Sequence, residues 1–191
     1  MSSYLVIGSL CVFGIIFAVI EIYKALKTPE NGRGKEILST VLIVFSSAVW
    51  FFPALDYIWL NFSVISDWSF YLSLTGMVFL VSGIMVRLGG FLYLGKYYDY
   101  NIRVRSEHKL VTTGIYRYVR HPLYLGTLLL FTGVPFLTGS LVGFLILVTV
   151  SLPSLYYRIT VEEKMLVEHF GDSYLNYRAK TPALVPFMFR K

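Results

Sequence analysis

The sequence has little charge and almost no cysteine. Only 15% of its 191 residues are Asp, Glu, Lys or Arg, whereas 56% are hydrophobic. A soluble domain usually carries about a quarter charged residues. The single cysteine, Cys11, excludes a disulfide within the chain and a zinc site built from cysteines. The few charges lie in short clusters between long apolar stretches, a distribution typical of a membrane protein.

The sequence also lacks a basic, aromatic-interleaved soluble module, so its net charge of +6 does not indicate nucleic-acid binding. Its basic residues flank apolar stretches, where they orient loops and meet anionic lipid headgroups. No basic segment precedes the first apolar stretch and no convincing cleavage site follows it. We therefore interpret that stretch as a retained helix rather than a signal peptide.

The apolar stretches predict an all-α, polytopic integral membrane protein with five transmembrane helices. The last two are short for a hydrocarbon core of ~30 Å, so we expect them to form a tight helical hairpin, with the fifth helix continuing towards Phe170. A re-entrant pair that does not fully cross is the alternative. The predicted spans are Tyr4–Leu26, Ile37–Leu55, Trp68–Leu94, Leu123–Leu137 and Leu141–Tyr157.

These spans form one predicted domain over residues 1–191, with three spans in 1–95 and the loop, hairpin and tail in 96–191. Lys and Arg are frequent in the first loop, the third loop and the tail, but absent from the second loop and the hairpin tip. The positive-inside rule therefore predicts an outside N-terminus and a cytoplasmic C-terminus. The membrane can be a prokaryotic plasma membrane or the endoplasmic reticulum, and the oligomeric state stays open.

Residues that can bind a ligand or take part in catalysis lie where the third loop meets the fourth span. Pro122 suits the first turn of a helix, which places His121 at the helix mouth, beside unpaired backbone N–H groups. Such a place can receive a carboxylate. Gly126 leaves room for close packing of another helix or for a flat ligand.

A second group, Arg158, Glu162 and Glu163, lies near the inner end of the fifth span. Arg158 and Glu162 are four residues apart and so share one helix face. They can form an interfacial salt bridge, or Arg158 can hold a carboxylate while Glu162 accepts hydrogen bonds from a ligand. The spacing alone does not decide between these interpretations.

Four motifs in sequence resemble the isoprenylcysteine carboxyl methyltransferase family, and related membrane phospholipid methyltransferases share part of the pattern. The resemblance covers about residues 101–186, and the first two spans carry no diagnostic residues. The motifs are Gly-x-Tyr-Arg-Tyr-x-Arg-His-Pro-x-Tyr-x-Gly (114–126), Arg-x-x-x-Glu-Glu (158–163), Phe-Gly-x-x-Tyr-x-x-Tyr (170–177) and Thr-Pro-x-Leu-x-Pro (181–186).

The resemblance implies a methyltransferase that uses S-adenosylmethionine, releases S-adenosylhomocysteine and has no Rossmann fold. It implies a lipophilic acceptor that enters from the bilayer, namely the carboxylate of a prenylcysteine or an analogue. It also implies that Arg158 is catalytic and faces the substrate. The implied cofactor contacts are Asn101, His108, Lys109, Leu110, Val111, Tyr116, His121, Pro122, Leu123, Tyr124 and Glu162.

Several alternatives remain at this point. A phospholipid or amine methyltransferase, an NADPH-dependent membrane reductase and a non-enzymatic membrane scaffold all fit parts of the pattern. No strand-bounded Gly-x-Gly motif is present, in agreement with a cofactor site that is not a Rossmann fold. No compact metal-ligand motif is present either, so we predict no metal. Arg87, within the third span, is either functional, paired with a neighbouring helix or extended along the helix towards the membrane interface.

Overall fold

The structure is a computed structural model that describes residues 51–94 and 110–185, together with residues 8, 38, 41, 42, 45, 46 and 49. The first predicted span except Gly8, and eight of the nineteen residues of the second, lie outside the described residues. So does the part of the third loop from residue 95 to residue 109.

Every regular element in the described ranges is helical, which confirms the all-α prediction for this part of the chain. Val64 and Ser140 also form an isolated antiparallel bridge. The elements are α1 (Phe52–Leu55), a π-helical turn (Asp56–Leu60), α2 (Phe70–Leu94), a 3-10 turn (Gly114–Arg117), α3 (Pro122–Thr138), α4 (Leu141–Ile146), a second π-helical turn (Leu147–Ser151), α5 (Leu152–Phe170) and α6 (Asp172–Lys180).

Two of these helices are long and apolar enough to cross a bilayer. Helix α2 has 25 residues, and α4, the second π-helical turn and α5 together form a continuous helix of 30 residues, Leu141–Phe170. As predicted, the last span therefore continues to Phe170. Helix α3 is apolar but has only 17 residues. The five-span count and the paired crossing of the last two spans stay predictions.

Helices α2 and α3 pack closely because glycines line their contact. A Cβ atom added at Gly83 would lie 2.9 Å from the carbonyl oxygen of Gly126, and one added at Gly126 would lie 2.7 Å from that of Gly83. Small residues allow two backbones to approach in this way. Beyond the glycines, α3 buries Leu130, Phe131, Val134 and Leu137 in a core shared with Leu80 and Leu155.

A buried carboxylate fastens the far end of α3. Asp56 accepts hydrogen bonds from the backbone N–H of Phe62 (2.8 Å) and from both the backbone N–H (3.2 Å) and the hydroxyl (2.5 Å) of Ser63. The Ser140 hydroxyl, in the turn between α3 and α4, lies 3.4 Å from the same carboxylate. Burial alone raises the pKa of Asp56, but these hydrogen bonds outweigh it and hold the pKa below its ordinary value.

Candidate active site

The start of α3 and the middle of α5 bring the two predicted groups of residues together. His121 immediately precedes α3, Tyr124 lies in its first turn, and Arg158 and Glu162 belong to α5. His121 is 4% exposed and Arg158 is 3% exposed, whereas the Glu162 side chain remains 27% exposed. The cluster thus combines a buried imidazole and a buried guanidinium with an accessible carboxylate.

Arg158 and Glu162 are connected through a tyrosine. The Nε–H of Arg158 donates to the Tyr124 hydroxyl at 3.2 Å, and that hydroxyl donates to Oε2 of Glu162 at 2.5 Å. Sequence spacing left a direct salt bridge and a ligand-binding pair as alternatives. The structure shows a relay in which one phenol orients both charged groups.

Glu163 is surrounded by two arginines and the His121 ring. Its Oε1 accepts from Nε (3.1 Å) and Nη2 (2.5 Å) of Arg120, and it lies 3.2 Å from Nε2 of His121. The Nε of Arg178 in α6 lies 3.4 Å from Oε2. Two guanidinium groups therefore stabilise the ionised form of this carboxylate.

The chain after α6 lies against the loop before α3. The backbone N–H of Arg120 donates to the carbonyl of Pro182 at 2.9 Å, and that of His121 donates to the carbonyl of Ala183 at 3.0 Å. The Arg120 guanidinium adds a bond to the carbonyl of Thr181. We expected His121 to lie among unpaired backbone N–H groups. This is wrong for its own N–H, which donates to the carbonyl of Ala183.

Tyr116 is held on two sides. Its hydroxyl lies 3.4 Å from the carbonyl oxygen of Gly90 in α2, and its own carbonyl accepts from the Tyr177 hydroxyl at 2.5 Å. Burial raises the pKa of the Tyr177 phenol, although the charge of Arg120 acts in the opposite direction. Tyr116 is thus buried between α2 and α6, and its predicted contact with a cofactor stays a prediction.

Pro122 and Leu123 fix the start of α3 on α2. A Cβ atom at Gly90 would lie 3.3 Å from the Pro122 ring and 3.1 Å from the Leu123 side chain. Arg87 lies buried beside them, 3.5 Å from the Leu123 carbonyl oxygen, and also donates to the Thr127 hydroxyl. Of the explanations for Arg87, the structure supports pairing with a neighbouring helix.

The other predicted cofactor contacts belong to the part of the chain that leads into the 3-10 turn. Leu110 and Val111 are half-buried in the segment before the 3-10 turn. Asn101, His108 and Lys109 lie outside the described residues. Within residues 51–94 and 110–185, no group of three His, Cys, Asp or Glu side chains is arranged to hold a metal ion.

Sequence reasoning did not select Arg120 or Arg178 as site residues, and it named Glu163 beside Glu162 without assigning it a role. Arg120 and Glu163 each directly adjoin a selected residue within a motif, which was an available signal. Arg178 lies outside every motif, and only the fold brings it to Glu163.

Comparisons with known proteins identify several similar sequences and one similar structure. A sequence model of the family described as phospholipid methyltransferase matches residues 71–173. A protein-S-isoprenylcysteine O-methyltransferase of Schizosaccharomyces pombe is 39% identical over 113 residues, covering 52% of this chain and 48% of the relative. The B form from Arabidopsis thaliana is 28% identical, covering 83% and 82%. A methanethiol S-methyltransferase of Crocosphaera subtropica is 41% identical, covering 44% and 31%.

A solved structure is also similar. It is a eukaryotic intramembrane Ras methyltransferase, an isoprenylcysteine carboxyl methyltransferase, with a TM-score of 0.55 and 27% identity, covering 80% of this chain and 51% of that chain. The chain thus spans about half the length of this structure and of the S. pombe relative. The family match extends from the first turn of α2 into α6 and includes His121, Tyr124, Arg158, Glu162 and Glu163, but not Arg178. The resemblance to the isoprenylcysteine carboxyl methyltransferases is confirmed, and the chain belongs to the phospholipid methyltransferase family.

Proposed function

We propose that the chain is a membrane methyltransferase that uses S-adenosylmethionine to methylate the carboxylate of a prenylcysteine or a related lipophilic acceptor. The observation that carries the proposal is the relay from Arg158 through Tyr124 to Glu162, beside His121. It places a buried cation and an accessible carboxylate on either side of one phenol. The names of the relatives support the same chemistry.

The donor and acceptor groups of the cluster fit the proposed cofactor. Glu162 is partly exposed, so its carboxylate can accept hydrogen bonds from an amine or from ribose hydroxyls. Leu110 and Val111 are half-buried and supply apolar surface for an adenine ring. Asn101, His108 and Lys109 are further proposed contacts on the loop. When bound, S-adenosylmethionine supplies an electrophilic methyl group.

Arg158 has the role of holding the acceptor. A guanidinium binds a carboxylate through charge-assisted hydrogen bonds, and Tyr124 fixes the orientation of this one through Nε. A carboxylate acceptor is already nucleophilic, so this chain needs no general base for the transfer. Its contribution is the positioning of two reactants in a site shielded from water.

The proposed topology allows a lipophilic acceptor to reach Arg158 from the bilayer. Helix α2 and the helix Leu141–Phe170 are two of five proposed crossings, with the N-terminus outside and the C-terminus cytoplasmic. Single cysteines placed at Asp67 and Arg117, in a chain with Cys11 replaced, test this topology. A membrane-impermeant maleimide applied from outside should label only the first, and labelling of the second would contradict the topology.

The decisive experiment is calorimetric titration of the detergent-solubilised protein with S-adenosylmethionine. Glu162→Gln should weaken binding by about 1.5–3 kcal/mol, the range for a hydrogen bond to a charged group. Glu168→Gln, at an exposed position later in α5, is the matched control and should bind S-adenosylmethionine normally. A folded protein that does not bind S-adenosylmethionine would contradict the proposal.

A small thiol is a second candidate acceptor, because a methanethiol S-methyltransferase has a similar percentage of identical residues (41% against 39%), although over a shorter stretch of 83 residues against 113. Assays with radiolabelled S-adenosylmethionine and either N-acetyl-S-farnesylcysteine or methanethiol separate the two. Methylation of farnesylcysteine supports the first candidate. Methylation of methanethiol alone replaces it with the second.

A further inference from the structure

The two adjacent glutamates of α5 differ in what surrounds them. Oε1 of Glu163 already receives two N–H groups from Arg120 and faces the His121 ring, and the Glu163 side chain is only 11% exposed. Glu162 accepts from one phenol and keeps 27% of its side chain exposed. Glu163 is therefore committed to protein groups, whereas Glu162 has lone pairs available to a ligand.

The contact between Glu163 and His121 determines where the imidazole carries its proton. An ionised carboxylate can only accept hydrogen bonds, so the nitrogen 3.2 Å from Oε1 of Glu163 must be the N–H donor. That nitrogen is Nε2. In the neutral ring, Nδ1 then has a lone pair and no proton.

Nδ1 faces the other glutamate. It lies 3.9 Å from Oε1 of Glu162, too far for a direct hydrogen bond. Two acceptors at this separation can share one donor group, since each hydrogen bond needs only about 2.9 Å. A protonated amine offers several N–H donors and a positive charge, whereas a carboxylate would meet a lone pair and a negative charge.

We propose that Glu163 is a positioning residue that holds His121 as the Nε2–H tautomer, so that Nδ1 and Glu162 together bind the amino group of the cofactor and not its carboxylate. This inference rests on the proposed function and reverses the role predicted for His121 from its position before the helix, that of receiving a carboxylate. It also explains the two adjacent glutamates of the motif, one of which orients the histidine while the other binds.

The tautomer can be observed without any ligand. Nitrogen-15 NMR of histidine-labelled protein in detergent should show His121 with a protonated Nε2 and an unprotonated Nδ1, assigned by loss of its signals in His121→Asn. Glu163→Ala should abolish this preference. Glu163→Gln should preserve it, because Arg120 holds the amide oxygen towards the ring. A protonated Nδ1 in the unaltered protein would overturn the proposal even if the alanine variant fails to fold.

The binding partner is tested with three probes: S-adenosylhomocysteine, its analogue without the amino group and its analogue without the carboxylate. Glu162→Gln should weaken the parent and the decarboxylated analogue by about 10- to 100-fold and leave the deaminated analogue unchanged. The reverse pattern, with the effect lost only in the decarboxylated analogue, would refute the assignment of the amine. If the parent does not bind a folded protein, the proposed function fails instead.

Discussion

Two buried carboxylates lie near opposite ends of α3, and they are satisfied in different ways. Asp56 is held by hydroxyl and backbone N–H groups that belong to two chain turns. Glu163 is held by two guanidiniums and an imidazole. The donors to Asp56 are neutral hydroxyl and backbone N–H groups. Glu163 instead contacts charged groups and His121, and His121 also lies near the partly exposed Glu162. Burial of a carboxylate therefore does not by itself indicate a binding or catalytic site.

The largest expected effect is at Arg158, which lies beside the Glu163 network on α5. Arg158→Ala should lower kcat/KM for a prenylcysteine acceptor by about 100-fold or more, because an oriented positive charge is removed from the reacting carboxylate. Calorimetry should show S-adenosylhomocysteine affinity within about three-fold of normal, since Arg158 is proposed to hold the acceptor. Arg117→Ala, at an exposed arginine of the 3-10 turn, is the control. Normal activity of Arg158→Ala would remove the arginine from the mechanism.

The Asp56 cluster should show the opposite behaviour. Asp56→Ala leaves the hydroxyl of Ser63 and two backbone N–H groups without their acceptor, so the free energy of unfolding should fall by about 2–3 kcal/mol. Unfolding titrations in mixed micelles measure this loss, and Asp67→Ala, at an exposed acid in the same connection, should be neutral. Cofactor affinity should not change in either variant. A loss of affinity in Asp56→Ala would mean that the two clusters are coupled.

The smallest expected effect is on acid stability. Because the folded pKa of Asp56 is lowered, its contribution is fully present above the unfolded pKa of about 3.9 and is lost as the pH falls through the folded value. Unfolding measured at stepwise lower pH should therefore show a smaller loss of stability in Asp56→Asn than in the unaltered protein. Parallel curves for the two proteins would assign the acid sensitivity to other groups.

Composition and segment length predicted the helices of this fold well. The third predicted span, Trp68–Leu94, differs from α2 by two residues at its start, and the fourth, Leu123–Leu137, differs from α3 by one at each end. Runs of apolar residues determine where a helix can lie in a bilayer, so their limits are readable locally. The count of five spans is still a prediction.

The candidate site was only partly predictable. The motifs selected Tyr124, Arg158 and Glu162, which the structure brings together. They did not reveal that Glu163 joins Arg120 to Arg178, because those contacts span 43 residues for Arg120 and depend on how α6 folds back. The occupied N–H of His121 was missed for the same reason, since no local pattern shows which distant carbonyl will approach.

The pairing of the tail with the loop before α3 has a consequence for the order of biosynthesis. The carbonyls of Pro182 and Ala183 reach Arg120 and His121 from a part of the chain that is translated about sixty residues later. Helix α2 and the helix Leu141–Phe170 both precede that segment in the chain, so they can enter the bilayer before it emerges from the ribosome. The backbone contact that holds His121 can therefore form only after both of these helices have been synthesised.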